Sequence, residues 1–205
     1  MNIPKQEPNH LLEKTVSLFL RYGVRSVSMD DVAREAGVSK KTIYQHHGDR
    51  NGLVMDAVRY HLSNMEYSCS SIYNEYENPI EQLLNVSRYF HDQHRQTSPN
   101  LFYDLKKYFP ETWAMIQNYR ENTMIDQVRR NLEKGIQLGY YRPEVQVSII
   151  SRVYSGIIDM IMDDVLFPKT EYSFKDLRRE VLIYHIHGIC TPKGINHLNE
   201  IINQS

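Results

Sequence analysis

Cysteine is almost missing from this 205-residue sequence, which holds only Cys69 and Cys190. Two thiols so far apart make no disulfide framework and point to a reducing compartment. A long apolar run is missing as well. The greasiest stretch, residues 149–167, is broken by Arg152, Asp159, Asp163 and Asp164, so nothing approaches the ~18–20 apolar residues a membrane helix needs. Net charge is missing too: 24 Lys+Arg stand against 25 Asp+Glu. That balance excludes coating of nucleic acid by bulk electrostatics but leaves room for a local basic patch. The opening MNIPKQEPNH has two prolines and no apolar core, unlike a secretory signal. The expectation is a soluble, cytoplasmic protein without a membrane partner.

Two-residue alternation between hairpin turns is also absent, and what remains is helical periodicity. Leu12, Val16 and Phe19 form one stripe that Gly23 closes. Ser28-Met-Asp-Asp31 fits a capping box, with both carboxylates in the favourable first turn of the next helix. Gly37 stops that helix, Ser39 caps a third over residues 40–46, and Gly48 ends it. Asp49 can cap a long fourth helix that ends near Pro79. Helices are then expected at about 80–96, 99–108, 110–138, 143–166 and 174–188, with one more short turn after Gly194. The fold class is all-α: an N-terminal three-helix head joined by a long helix to a larger C-terminal helical bundle. Three segments follow: a flexible tail over 1–9, a helix-turn-helix DNA-binding domain over 10–50, and a ligand-binding and dimerisation domain over 51–205.

The segment AREAGVSKKTIYQHHGDR, residues 33–50, carries the functional signal. Ala33 and Ala36 are small where two helices cross, Gly37 makes the turn, and Val38 and Ile43 face back onto the first helix of the pair. In a helix-turn-helix the second helix enters the DNA major groove. Its outer face here is Lys40, Lys41, Thr42, Tyr44, Gln45 and His46. Lysine reaches phosphates or a guanine edge, and glutamine can pair with adenine through two hydrogen bonds. Ser28, Ser39 and Arg50 stand at helix starts, where backbone N–H groups also attract anions. The partner these types suit is double-stranded DNA.

Residues 10–53 closely resemble the head of the TetR family of bacterial transcriptional regulators. The likeness runs through Leu12, Leu18-Phe19, Gly23, Ser28-Met-Asp-Asp-Val-Ala33, Ala36-Gly-Val-Ser39, Thr42, Tyr44, His46 and Leu53. EKGIQLGYYRPEV, residues 133–145, is similar to the family's junction between its seventh and eighth helices. His47 departs from the pattern by standing where the family usually has Phe. Arg50 replaces a phosphate-contacting Lys, and Gly52 falls in the first turn of a helix, where it costs up to ~1 kcal/mol relative to Ala.

The resemblance implies a homodimer held by its last two long helices, here through Val153, Ile157, Ile161, Val165, Leu177, Val181 and Tyr184. It also implies a small-molecule cavity in the aromatic-rich middle helices, with His91, Tyr103, Trp113, Tyr119 and Asp159 as candidate lining. The implied activity is that of a regulator, most simply a repressor released by its ligand. The residues leave open an alternative, a helical ligand- or protein-binding module with a vestigial head. His91 and His94 share a metal-compatible spacing without a third ligand. No nucleophile triad, phosphate-cradling loop or carboxylate pair points to an enzyme, a metal or a cofactor.

Overall fold

The structure, a computed structural model, describes residues 9–94, 97–98, 100–161, 163, 165–168 and 170–204, with His94 and Gln204 by backbone alone. The tail expected over 1–9 therefore lies, except for Asn9, outside the described residues, as does the His94 side chain. In chain order the helices are α1 (His10–Tyr22), α2 (Met29–Ala36), α3 (Lys40–His47), α4 (Arg50–Glu75), α5 (Pro79–His94), α6 (Leu101–Tyr108), α7 (Pro110–Tyr119), α8 (Ile125–Gln137), α9 (Val147–Ile161), α10 (Phe174–Ile189) and α11 (Pro192–Gln204). No strand occurs among the described residues, only an isolated antiparallel bridge between Tyr141 and Cys190.

The chain separates into two compact units. One comprises residues 1–70 and 92–119; the other comprises 71–91 and 120–205. The first reaches beyond residue 50 because its core does: Leu53, Val54, Ala57 and Tyr60 of α4 and Leu101, Leu105 and Phe109 join Leu12, Phe19, Val32 and Ile43. The core of the second gathers Ile80, Leu83, Leu132, Tyr141, Tyr154, Ile186 and Leu198. Buried Tyr141 donates to Asn131 (3.1 Å), and Asn131 in turn donates to the Pro79 carbonyl and to Gln82 Oε1, both 2.9 Å. Each polar group of this buried relay thereby keeps a partner, as burial demands.

Two expected elements came out differently. The helix expected over 110–138 contains a π-helical turn, Arg120–Met124, between α7 and α8. Periodicity could not reveal it, since a π-turn inserts without a Gly or Pro signal. The short turn expected after Gly194 is instead the full helix α11. Pro192 sits at its first position, where the missing N–H is harmless, and Ile195, Leu198 and Ile201 give it a core-facing stripe.

Candidate nucleic-acid interface

Local chemistry positions the head. Asn9 caps α1, its side chain accepting from Leu12 N at 3.1 Å. Ser28 and Asp31 form the capping box of α2 in both directions, and hydrogen bonding to Ser28 holds the Asp31 carboxyl below the usual carboxylate range. Gly37 ends α2 with φ 67°, a left-handed conformation that glycine adopts without a Cβ clash. Ser39 then caps α3, accepting from Thr42 N at 3.0 Å. With Val32 and Ile43 buried beneath the turn, the orientation of α3 is set by its own sequence.

The face that α3 turns outward is uneven. Lys41, Tyr44, Gln45 and His46 are exposed, and among the described residues no carboxylate pairs with Lys41. Lys40 lies 3.0 Å from Asp30, whose hydrogen bond and charge raise the lysine pKa. Thr42 is half-buried, with its hydroxyl 2.9 Å from that of Ser39. Ser28 is exposed but occupied by its cap. Arg50 is turned inward: its Nη2 donates to the Val24 carbonyl at 2.5 Å, and burial lowers its pKa.

The two departures behind α3 meet in one corner. The His47 side chain is only 8 % exposed, and its Nδ1 lies 2.8 Å from Asp56 Oδ2. Asp56 also accepts from Arg59 at 2.6 Å. A histidine fills the aromatic position because α4 supplies a carboxylate partner, so the corner is packed. Gly52 is needed there: a Cβ at this position would come 2.0 Å from the His47 carbonyl oxygen. Asp49 Oδ1 accepts from Gly52 N at 2.8 Å and so caps α4.

The candidate cavity residues divide between the two units. Tyr103, Trp113 and Tyr119 belong to the first, His91 and Asp159 to the second. Tyr103 is 57 % exposed, its hydroxyl accepting from Lys107 Nζ at 2.8 Å. Trp113 packs edge-on against Phe102, with centroids 6.5 Å apart, beside the first core. Tyr119 is half-buried. Asp159 is exposed and ion-paired with Arg120, which also donates to Ser155 Oγ at 3.0 Å. His91 is half-buried, with its Nδ1 buried and unpartnered among the described residues. Aromatic periodicity marked apolar environment here without distinguishing core from cavity.

Of the candidate dimer residues, Val153, Val165 and Tyr184 are exposed, and Ile157, Leu177 and Val181 are half-buried. Ile161 is 8 % exposed in the single chain, on the side of α9 that carries buried Tyr154. Among the described residues no cluster of three or more His, Cys, Asp or Glu could hold a metal, and no helix is long and apolar enough to cross a membrane.

Comparison with known proteins agrees with the geometry of the head. Residues 11–57 match the family model described as bacterial regulatory proteins, tetR family. The head of the chain is thus similar to that of TetR-family regulators. The HTH-type transcriptional repressor KstR2 of Mycolicibacterium smegmatis is 21% identical over 202 residues, spanning 95% of this chain and 96% of that one. Reduced NemR of E. coli superposes with a TM-score of 0.75 at 16% identity, covering 89% of this chain and 96% of its own. A chain from Saccharomonospora viridis solved in complex with choline gives 0.75 at 17%, with coverage of 89% and 96%. At these identities the structural likeness carries the fold. The TetR likeness rests on the head, and it is a likeness to DNA-binding transcriptional regulators.

Proposed function

We propose that this TetR-family protein is a homodimeric repressor, released from operator DNA by a small molecule bound in its larger helical domain. The observation that carries the reading is the exposed set Lys41, Tyr44, Gln45 and His46 on a helix whose cap, turn and buried face are all locally satisfied. Among the described residues these side chains form no ion pair or side-chain hydrogen bond, and they suit a phosphate backbone and base edges. Exposed Ile149, Val153 and Tyr184 on α9 and α10 supply apolar area for a two-fold interface, and large exposed apolar groups clustered on neighbouring helices mark association surfaces. Paired heads would then meet half-sites about one DNA turn, ~34 Å, apart. The repressor sense leans on KstR2, which is named a repressor, and the ligand on the choline bound by the Saccharomonospora chain. Ligand coupling of about 1–3 kcal/mol would shift operator affinity ~5–150-fold.

The test is a titration of the protein against its own upstream promoter fragment at several salt concentrations. Lys41→Ala is expected to weaken binding without changing fold, and to lower the salt slope by about one if the amine meets phosphate. Wild-type protein that retards no promoter fragment would overturn the reading. The vestigial-head alternative rests on His47 and Gly52, and both are packed.

A further inference from the structure

Arg178 on α10 lies within the second unit, half-buried, and has no counter-ion among the described residues. Its Nη2 donates to the Ser87 carbonyl of α5 at 2.9 Å, with the Ser87 hydroxyl at 3.4 Å. The guanidinium carbon sits 5.5 Å from the centroid of Phe174, one turn back on the same helix. Among the described residues no carboxylate pairs with it. A guanidinium presents five N–H donors in a planar fork, so its Nε and Nη1 edge keeps donors that no acceptor among the described residues takes. Burial pushes its pKa down, opposed only by the nearby Tyr154 phenol. Taking a cation out of water without an anion is unfavourable; Arg34, Arg59, Arg120, Arg129 and Arg130 each have an aspartate, whereas half-buried Arg50, like Arg178, donates to a carbonyl instead.

A second unsatisfied group stands beside Tyr154. The His185 ring is 4.5 Å from the Tyr154 ring, the residue is 6 % exposed, and its Nε2 is buried with no hydrogen-bond partner among the described residues. Arg178 and His185 are seven residues apart on α10, hence on one face and ~10 Å apart along the axis. Tyr154 of α9 adjoins both. Two polar groups left open on one helix face, with an aromatic ring stacked on one and electrostatically linked to the other, form a half-built recognition site.

We propose that Arg178 is the anion-binding group of a ligand site between α5, α9 and α10, and that the ligand is an organic carboxylate. Its carboxylate meets the open edge of the guanidinium, its apolar body lies along Tyr154, and a polar atom further along reaches His185 Nε2. This rests on the reading of the larger domain as ligand-binding and names the ligand's chemical class. A quaternary ammonium such as choline is excluded from this position, because a fixed cation already occupies it.

The experiment uses the full-length protein and matched probes, octanoate with octanamide and benzoate with benzamide, at constant ionic strength. Thermal midpoints and calorimetric affinities are recorded for wild type, Arg178→Gln, Arg178→Lys and His185→Phe, each checked for fold by circular dichroism. At least one carboxylate is expected to raise the wild-type midpoint and to bind about tenfold or more tightly than its amide, the difference a charge-assisted fork makes. Arg178→Gln should abolish that preference, and Arg178→Lys should keep part of it because the charge remains. His185→Phe should leave the preference for acid over amide in place, since neither member of a pair carries a second polar atom to reach Nε2. Equal binding of acid and amide, an unchanged preference in Arg178→Gln, or no response to any probe would overturn the proposal. If Arg178→Gln does not fold, the comparison of wild type with Arg178→Lys decides between the same outcomes. Operator titration with the bound carboxylate separates the two readings: binding without any change in operator affinity removes ligand release and leaves the site.

Discussion

Lys40 and Lys41 are adjacent in sequence and differ in circumstance. Asp30 holds Lys40 at 3.0 Å, whereas Lys41 is exposed and has no such partner among the described residues. Removing Lys41 should therefore hurt operator binding more than removing Lys40, whose charge is already shared. Gly52 reverses a propensity argument. Gly→Ala inside an exposed helix ordinarily gains up to ~1 kcal/mol, yet here the added Cβ meets a backbone oxygen at 2.0 Å. Gly52→Ala is expected to lower the denaturant midpoint; a rise would show that the α3–α4 corner yields freely. His185 sets a pH dependence. Burial takes its pKa from 6.5 down to about 4, so between those values the unfolded chain binds a proton that the folded chain refuses. Stability should thus fall as pH drops from about 6.5 to about 4, by up to about 3 kcal/mol. His185→Phe should flatten that limb in urea melts across this window; an unaltered slope would place the acid sensitivity elsewhere.

Among elements, α11 shows how much a short tail contributes. Leu198 is fully buried in the second core, so Leu198→Ala should cost about 2–5 kcal/mol, read as a lower urea midpoint at unchanged m. A loss under 1 kcal/mol would mean α11 is an accessory. The π-turn before α8 places Arg120 at the head of the second unit, where it reaches Ser155 and Asp159 of α9. π-turns recur at functional positions, and here one supplies a cation that ties two helices of the same unit. The starts of α2, α3 and α4 were legible in sequence because a cap acts over three residues. The π-turn and the true length of α11 were not, since each depends on what the segment packs against.

At the scale of the whole molecule, the regulator reading requires two copies. Val153 and Tyr184 are 45% and 78% exposed in the single chain, and burying such side chains contributes roughly 25 cal/mol per Å² of apolar area. Val153→Asp combined with Tyr184→Asp should convert a dimer to a monomer in sedimentation and remove most operator affinity, since one head alone meets one half-site. A double variant that stays dimeric would move the interface to another face. Cys69 and Cys190 are both free and buried, and burial pushes their thiols up to about 12 and about 11. Neither is poised as a thiolate sensor.

By itself the sequence determined the all-α class, the helix-turn-helix and the side chains it presents, because caps, turns and helical stripes act between residues three or four apart. Tertiary structure decided the rest. Arg50 found a carbonyl 26 residues away, His47 was completed by a carboxylate on α4, Tyr103 went to the surface and Ile161 to the interior. Arg178 was joined to a serine 91 residues away while its charge stayed unanswered. Whether a polar side chain is satisfied or left open depends on which distant atoms packing brings beside it, and no local pattern records that.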